Sequence, residues 1–167
     1  TGGRRVLIDT GNGEGTFVQT NGDRGRLLPN LAAAGIDRNA VDVVLISHFH
    51  PDHVNGLLMA DNTAAYPNAE IMVPEQEWAF WMDDANMNAA AADLKLTFRN
   101  QRRIFSDIAP HVTRFEPGAE VASGIETLAA PGHTPGHTVF AIHSGAQSLL
   151  VLGDTAQHPA VFARHPD

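Results

Sequence analysis

Seven consecutive residues, Ser47-His48-Phe49-His50-Pro51-Asp52-His53, place three histidines and one carboxylate within six positions. A chain carrying this string must fold so that the four side chains converge. Solvation alone does not call for such spacing, whereas metal chelation does. Imidazole nitrogen and carboxylate oxygen bind borderline divalent metals, zinc taking both at about 2.0–2.2 Å. The string follows an apolar run, residues 41–46, that reads as a buried strand. Side chains two apart on an extended chain point the same way, so His48 and His50 can meet one ion. Pro51 disfavours helix at the preceding residue and bends the chain. Asp52 and His53, adjacent on the turned chain, can then face a second ion.

Two later segments offer the remaining ligands. Pro131-Gly132-His133-Thr134-Pro135-Gly136-His137-Thr138 lies between apolar runs, and its glycines and prolines mark a tight turn. His133 can project from that turn toward the first ion. Leu149-Leu150-Val151-Leu152-Gly153-Asp154 reads as a buried strand ending in glycine and a carboxylate. Asp154 has two oxygens and can bridge two cations. Taken alone, His133 would be a loop histidine and Asp154 a helix cap; after the HxHxDH string, both read as ligands.

Strands and helices are expected to alternate along the chain. Residues 4–8 read as a strand and 9–15 as a glycine-rich loop. A helix over 27–34 is stopped by Gly35, and the strand 41–46 feeds the histidine string. A helix begins in 54–59, a strand covers 69–73, and 74–109 is mostly helical, with Glu75, Glu77, Asp83 and Asp84 on its wet side. Residues 112–115, 120–122, 125–129, 138–142 and 148–152 read as strands joined by tight turns.

In this order, HFHPDH, GHTPGHT and LGD, with VLIDTG upstream at 6–11, resemble the metallo-β-lactamase fold superfamily over about residues 4–154. The resemblance implies an α/β fold, an αββα sandwich with a dinuclear metal site at one edge, in a single domain over residues 1–167. The first ion would take His48, His50 and His133. The second would take Asp52 and His53, with Asp154 bridging. The family closes the second site with a further histidine well downstream, where this sequence has only residues 155–167. His158 and His165 fall there, too close to Asp154 to have a strand and helix before them. The chain also opens almost directly on VLIDTG, so the expectation is a sandwich truncated at both ends.

Other residues invite a role. By resemblance Asp9 lies beneath the metal loop, either orienting a ligand histidine or acting as a polar turn residue. His137 reads as structural, and Tyr66 as packing. Trp78, Phe80, Trp81, Met82 and Met87 read as core before cleft, although insertions of this kind flank the metal edge in the superfamily and can shape an apolar cleft.

Composition restricts the partners. With 167 residues, 43% of them hydrophobic, the chain can bury a core. No apolar run reaches the about 20 residues of a membrane span, and a net charge of −8 argues against nucleic acid. The absence of cysteine excludes disulfides and thiolate ligands. The expected setting is a soluble protein, cytoplasmic or periplasmic, acting on a small molecule, with a homodimer as the assembly open to it. The expected cofactors are two divalent ions, zinc first, with manganese, cobalt or iron suited to the same donors.

Two cations sharing Asp154 can hold a bridging water and bring its pKa toward neutrality, while polarising a carbonyl or phosphoryl oxygen. Asp52 is the catalytic candidate, orienting the nucleophile or carrying a proton to the leaving group. Phe49 in place of glutamate sets the chain apart from the iron-binding HxExDH reductases, and Asp154 in place of cysteine from the commonest zinc β-lactamases. The phrases GRLLPNLAAAGI, YPNAEIMVPEQEWAFW and LGDTAQHPAVF look closest to the methyl-parathion-hydrolase-like and lactonase-like branches. The expected function is a dinuclear hydrolase of a lactone, ester or phosphotriester. The alternatives are a degenerate or accessory metal-binding fragment, a glyoxalase-II-type thioesterase, or a β-lactamase.

Overall fold

The computed structural model describes residues 2–156 and residue 164. In chain order its elements are β1 (Val6–Ile8), α1 (Gly13–Gln19), α2 (Leu27–Ala33), β2 (Val43–Leu45), α3 (Pro51–Val54), β3 (Glu70–Pro74), α4 (Glu75–Met82), α5 (Asp84–Ala89) and α6 (Ala92–Ile108). Then follow β4 (Val112–Phe115), β5 (Glu120–Ala122), β6 (Ile125–Ala129), β7 (Thr138–Ser144) and β8 (Gln147–Val151). The first four strands form a parallel sheet in the order β1-β2-β3-β4, and the last four an antiparallel one in the order β5-β6-β7-β8.

The apolar run around β2 shows how the layers arise. Val43, Val44, Leu45 and Ile46 are all fully buried, and successive side chains of a strand face opposite ways. Val43 and Leu45 join Phe115, Val121, Ile125 and Phe140 in a core between the two sheets. Val44 and Ile46 face the other way, into a core with Ile71, Val73, Trp81, Phe98, Ile104 and Phe105. A strand buried on both faces reads as a continuous apolar run, as parallel sheets do. Helix α6 supplies the other half of the second core through Phe98, Gln101, Ile104, Phe105 and Ile108, a stripe at helical spacing.

The helices thus cover one face of the parallel sheet, and the antiparallel sheet covers the other. The far face of the antiparallel sheet is open among the described residues: Leu128, Leu150 and Leu152 are 45%, 53% and 38% exposed. No described helix is long and apolar enough to cross a membrane.

Four local expectations are corrected. Residues 13–15, read as loop, open α1; close backbone contact fixes this turn, since a Cβ on Gly25 would lie 2.2 Å from the carbonyl oxygen of Gly13. The helix after the histidine string begins at Pro51 rather than in 54–59. Proline at the first helical position loses no hydrogen bond and has its φ already set. The stretch 74–109 is mostly helical as expected, as three helices with Asp83 capping α5 by accepting from the N–H of Ala85. The run 149–152, read as a buried strand, instead leaves Leu149 and Leu150 exposed. Glu77, expected on the wet side with Glu75, Asp83 and Asp84, is fully buried.

Phe105 is 1% exposed and stacks on Phe49, centroids 4.5 Å apart. Phe105→Ala is expected to cost about 3–5 kcal/mol by leaving a cavity. A urea midpoint shift at constant m value measures it, and a loss below about 1 kcal/mol would mean that this core collapses freely around the gap.

Candidate metal centre

All the candidate ligands come from one edge of the sandwich. The parallel strands β1 and β2 run in register, Ile8 beside Leu45, so Asp9 and the 47–53 segment emerge together at their carboxyl ends. The turn between β6 and β7 brings His133, and the end of β8 brings Asp154. Ligand sites of open parallel sheets form outside such carboxyl ends. The N–H of Thr138 donates to the Ser47 carbonyl (3.0 Å) and ties the His133 turn to the end of β2.

Two groups of donors result. His48, His50 and His133 form one, and His48, His53 and Asp154 the other, with ligand atoms in each group within 4.8 Å of one another. His50 Nδ1 is 2.8 Å from His133 Nε2. The Asp154 carboxylate lies between the groups, Oδ1 3.3 Å from His53 Nε2 and Oδ2 3.3 Å from His133 Nε2. Asp52 stands at the rim, its side chain 56% exposed and Oδ2 3.9 Å from His53 Nε2. It is not drawn into either group. His158 and His165 lie outside the described residues.

A single carboxylate sets the orientation of the rings. Asp9 Oδ1 accepts from the Ser47 N–H (2.8 Å), and Oδ2 accepts from the Ser47 hydroxyl (2.7 Å). Oδ2 also accepts from His53 Nδ1 at 2.8 Å. With its proton committed to Asp9, the Ser47 oxygen accepts from His48 Nδ1 at 3.0 Å. In their neutral forms His48 and His53 are therefore both held with the proton on Nδ1, leaving Nε2 as the lone-pair nitrogen. This is the usual way a carboxylate fixes the tautomer of a metal-binding histidine. Asp9 adopts a positive φ of 57°, a left-handed conformation that aspartate tolerates better than most residues.

Burial keeps the His48 and His50 rings uncharged, whereas the carboxylates around His53 favour its charged form. Burial, and then the neighbouring His53, His50, His137 and His133, lower the His48 pKa from 6.5 to about 2. Burial and His133 lower that of His50. Burial also opposes a charge on His53, but the Asp9 hydrogen bond and the charges of Asp9, Asp154 and Asp52 outweigh it and raise its pKa. His48 Nε2 is buried without a hydrogen-bond partner. An orphaned buried acceptor is costly, and a cation among these imidazole and carboxylate donors would satisfy it. The donor set fits a divalent metal.

His137 is structural in the way expected. It is 1% exposed, and its Nε2 accepts from the Asp154 N–H at 3.0 Å. This contact explains Gly153, which has φ +54° and whose Cβ would fall 2.7 Å from His137 Nε2. Gly56 plays a matching part beneath the 47–53 segment, where a Cβ would lie 2.0 Å from the Thr10 carbonyl oxygen. Trp81 and Tyr66 are buried, and Trp78, Phe80, Met82 and Met87 pack against the same core, which favours the packing reading of that cluster. Sequence reasoning missed Ser47, whose hydroxyl links Asp9 to His48; its place directly before the first histidine was the available signal.

Asp9→Asn removes an acceptor facing the Ser47 hydroxyl and the His53 ring. It is expected to weaken binding of a divalent metal by about 10- to 100-fold. Competition against a chromophoric chelator measures the change, and an affinity equal to that of the unaltered chain would show that the rings hold their tautomers without Asp9.

The family model of the Metallo-beta-lactamase superfamily matches residues 1–163. The N-acyl homoserine lactonase of Bacillus thuringiensis is 25% identical over 165 residues, covering 88% of this chain and 57% of the lactonase. The atrochrysone carboxyl ACP thioesterase of Passalora fulva is 26% identical over 156 residues, covering 93% of this chain and 35% of the thioesterase. Among solved structures, a dizinc quorum-quenching lactonase in complex with its product superposes with a TM-score of 0.86 at 29% identity, over 99% of this chain and 57% of its own. A hydrolase of the β-lactamase superfamily gives 0.79 at 28% identity, over 89% of this chain and 51% of its own. The chain spans little more than half the length of the lactonases it matches.

Proposed function

The chain belongs to the metallo-beta-lactamase superfamily, and on that premise we propose that it forms the metal-bearing part of a hydrolase of ester-type acyl bonds, with N-acyl homoserine lactones as its first substrate class. The observation that carries this reading is the convergence of five donors, from His48, His50, His53, His133 and Asp154, around a buried His48 Nε2 that lacks a partner. Similarity to a dizinc lactonase at 29% identity and to a second lactonase at 25% supports the choice of substrate class and of zinc.

In this reading His48, His50 and His133 would hold one ion, and His53 with Asp154 would hold the other, with Asp52 at the rim as a further ligand. Divalent ions held there supply Lewis acidity, which brings the pKa of water toward neutrality and polarises an acyl oxygen. The protein then needs no serine or cysteine nucleophile. Asp9 and Ser47 keep the Nε2 atoms of His48 and His53 facing inward. His137 holds the main chain of Asp154 in place. Asp52, half exposed beside His53, is the carboxylate to which this reading gives the carrying of a proton between water and the leaving oxygen.

A thioester is the second substrate class, favoured by the resemblance to the fungal thioesterase. A hydrolysis panel separates these readings: an acyl homoserine lactone, an acyl thioester, a phosphotriester and a β-lactam, each with and without exhaustive chelation. Chelator-sensitive opening of the lactone is expected, lost in His48→Ala. Turnover that survives chelation, or survives His48→Ala, would overturn the proposal. One bound ion without turnover of any panel member would favour an accessory metal-binding role instead.

A further inference from the structure

Phe49 separates the first two histidines, and both polar groups of its main chain are taken by buried side chains from elsewhere. Its N–H donates to Glu77 Oε2 at 2.8 Å, and its carbonyl accepts from Gln101 Nε2. Glu77 and Gln101 are fully buried. The second oxygen of Glu77, Oε1, accepts from the Gly136 N–H at 2.7 Å, and Gly136 lies three residues after His133. The indole N–H of Trp81 donates to Oε2 at 2.9 Å and fixes the carboxylate from its own helix.

One carboxylate therefore joins the two turns that carry the first group of donors. Gly136 is the residue that allows the approach: a Cβ there would lie 2.5 Å from the main-chain nitrogen of Glu77. A buried carboxylate is costly unless several donors satisfy it, and here three N–H groups do, two of them from the donor-bearing turns. An apolar side chain could fill the same volume, but it could not set the distance between two main chains.

Resting on the metal-binding reading given above, we infer that Glu77 and Gln101 are positioning residues that grip the Phe49 peptide and set the spacing between the His48/His50 turn and the His133 turn. They touch neither ion nor substrate. Their action is through the geometry of the three imidazoles.

The test uses Co2+ as the probe, titrated into the 167-residue chain and into Glu77→Gln, Gln101→Leu and the control Glu75→Gln. Glu75 sits two residues upstream, only partly buried and paired with Arg114. The readouts are affinity against a competing chelator, the visible absorption of bound Co2+, and circular dichroism of the metal-free chain. Glu77→Gln turns an acceptor into a donor facing one of the N–H groups. It is expected to bind Co2+ about 10-fold or more weakly, with an altered visible band and a retained apo fold. Glu75→Gln should match the unaltered chain. Gln101→Leu frees the Phe49 carbonyl, together with an Asn100 amide N–H that keeps its bond to Asn55, and should change the band in the same sense, which keeps the test open if Glu77→Gln does not fold. Unchanged affinity and band in either folded variant, or failure of both to fold, would assign the pair to packing and overturn the inference. Failure of the unaltered chain to bind Co2+ would instead overturn the metal-binding reading itself.

Discussion

The Asp9 carboxylate is the point on which the donor edge depends. It sits at the end of a short parallel strand and takes three N–H and O–H donors from the segment that follows its neighbour. Two of those bonds reach imidazole rings, one directly and one through the Ser47 hydroxyl. A ring free to choose its tautomer would offer its lone pair half in the wrong direction; these rings have no choice. The left-handed backbone at Asp9 is a small local strain that persists because the hydrogen bonds around it determine its geometry several times over.

The sheet order turns this local arrangement into a site. Parallel pairing of β1 with β2 brings two chain ends to one edge without any turn between them. The antiparallel sheet delivers His133 and Asp154 to the same edge from the opposite side. The two cores are separate, one between sheets and one between sheet and helices, yet both end at β2. A residue such as Phe49 therefore belongs to the packing of α6 by its side chain and to the donor cluster by its main chain.

Much of this was legible in the chain itself, and the reasons differ by residue. The 47–53 segment declared itself because four chelating side chains at that spacing have no other common use. Residues 41–46 read as a strand because burial on both faces leaves a largely apolar run, and 112–115 because β-branched and aromatic residues sit between turn signals. Glu77 did not, since a glutamate in the first turn of a helix is ordinarily a solvated one. Its burial is decided by N–H groups 28 and 59 positions away, which no local window contains. The early start at Pro51 was hidden because proline signals a break as readily as a first helical residue. Asp52, read as a ligand from its place in the string, stands at the rim beside His53, 3.9 Å from its Nε2. The opening of α1 at Gly13 depends on contact between two glycine backbones rather than on any helix-forming side chain.

At Gly56 and Gly136 the main chain is seated against neighbouring main chain, and at Gly153 against the His137 ring, so closely that a single added carbon would collide. The frame around the donors is consequently set at these joints by close approaches that only glycine admits. A change in what such a frame accommodates has to enter from the segments around it rather than at these three joints.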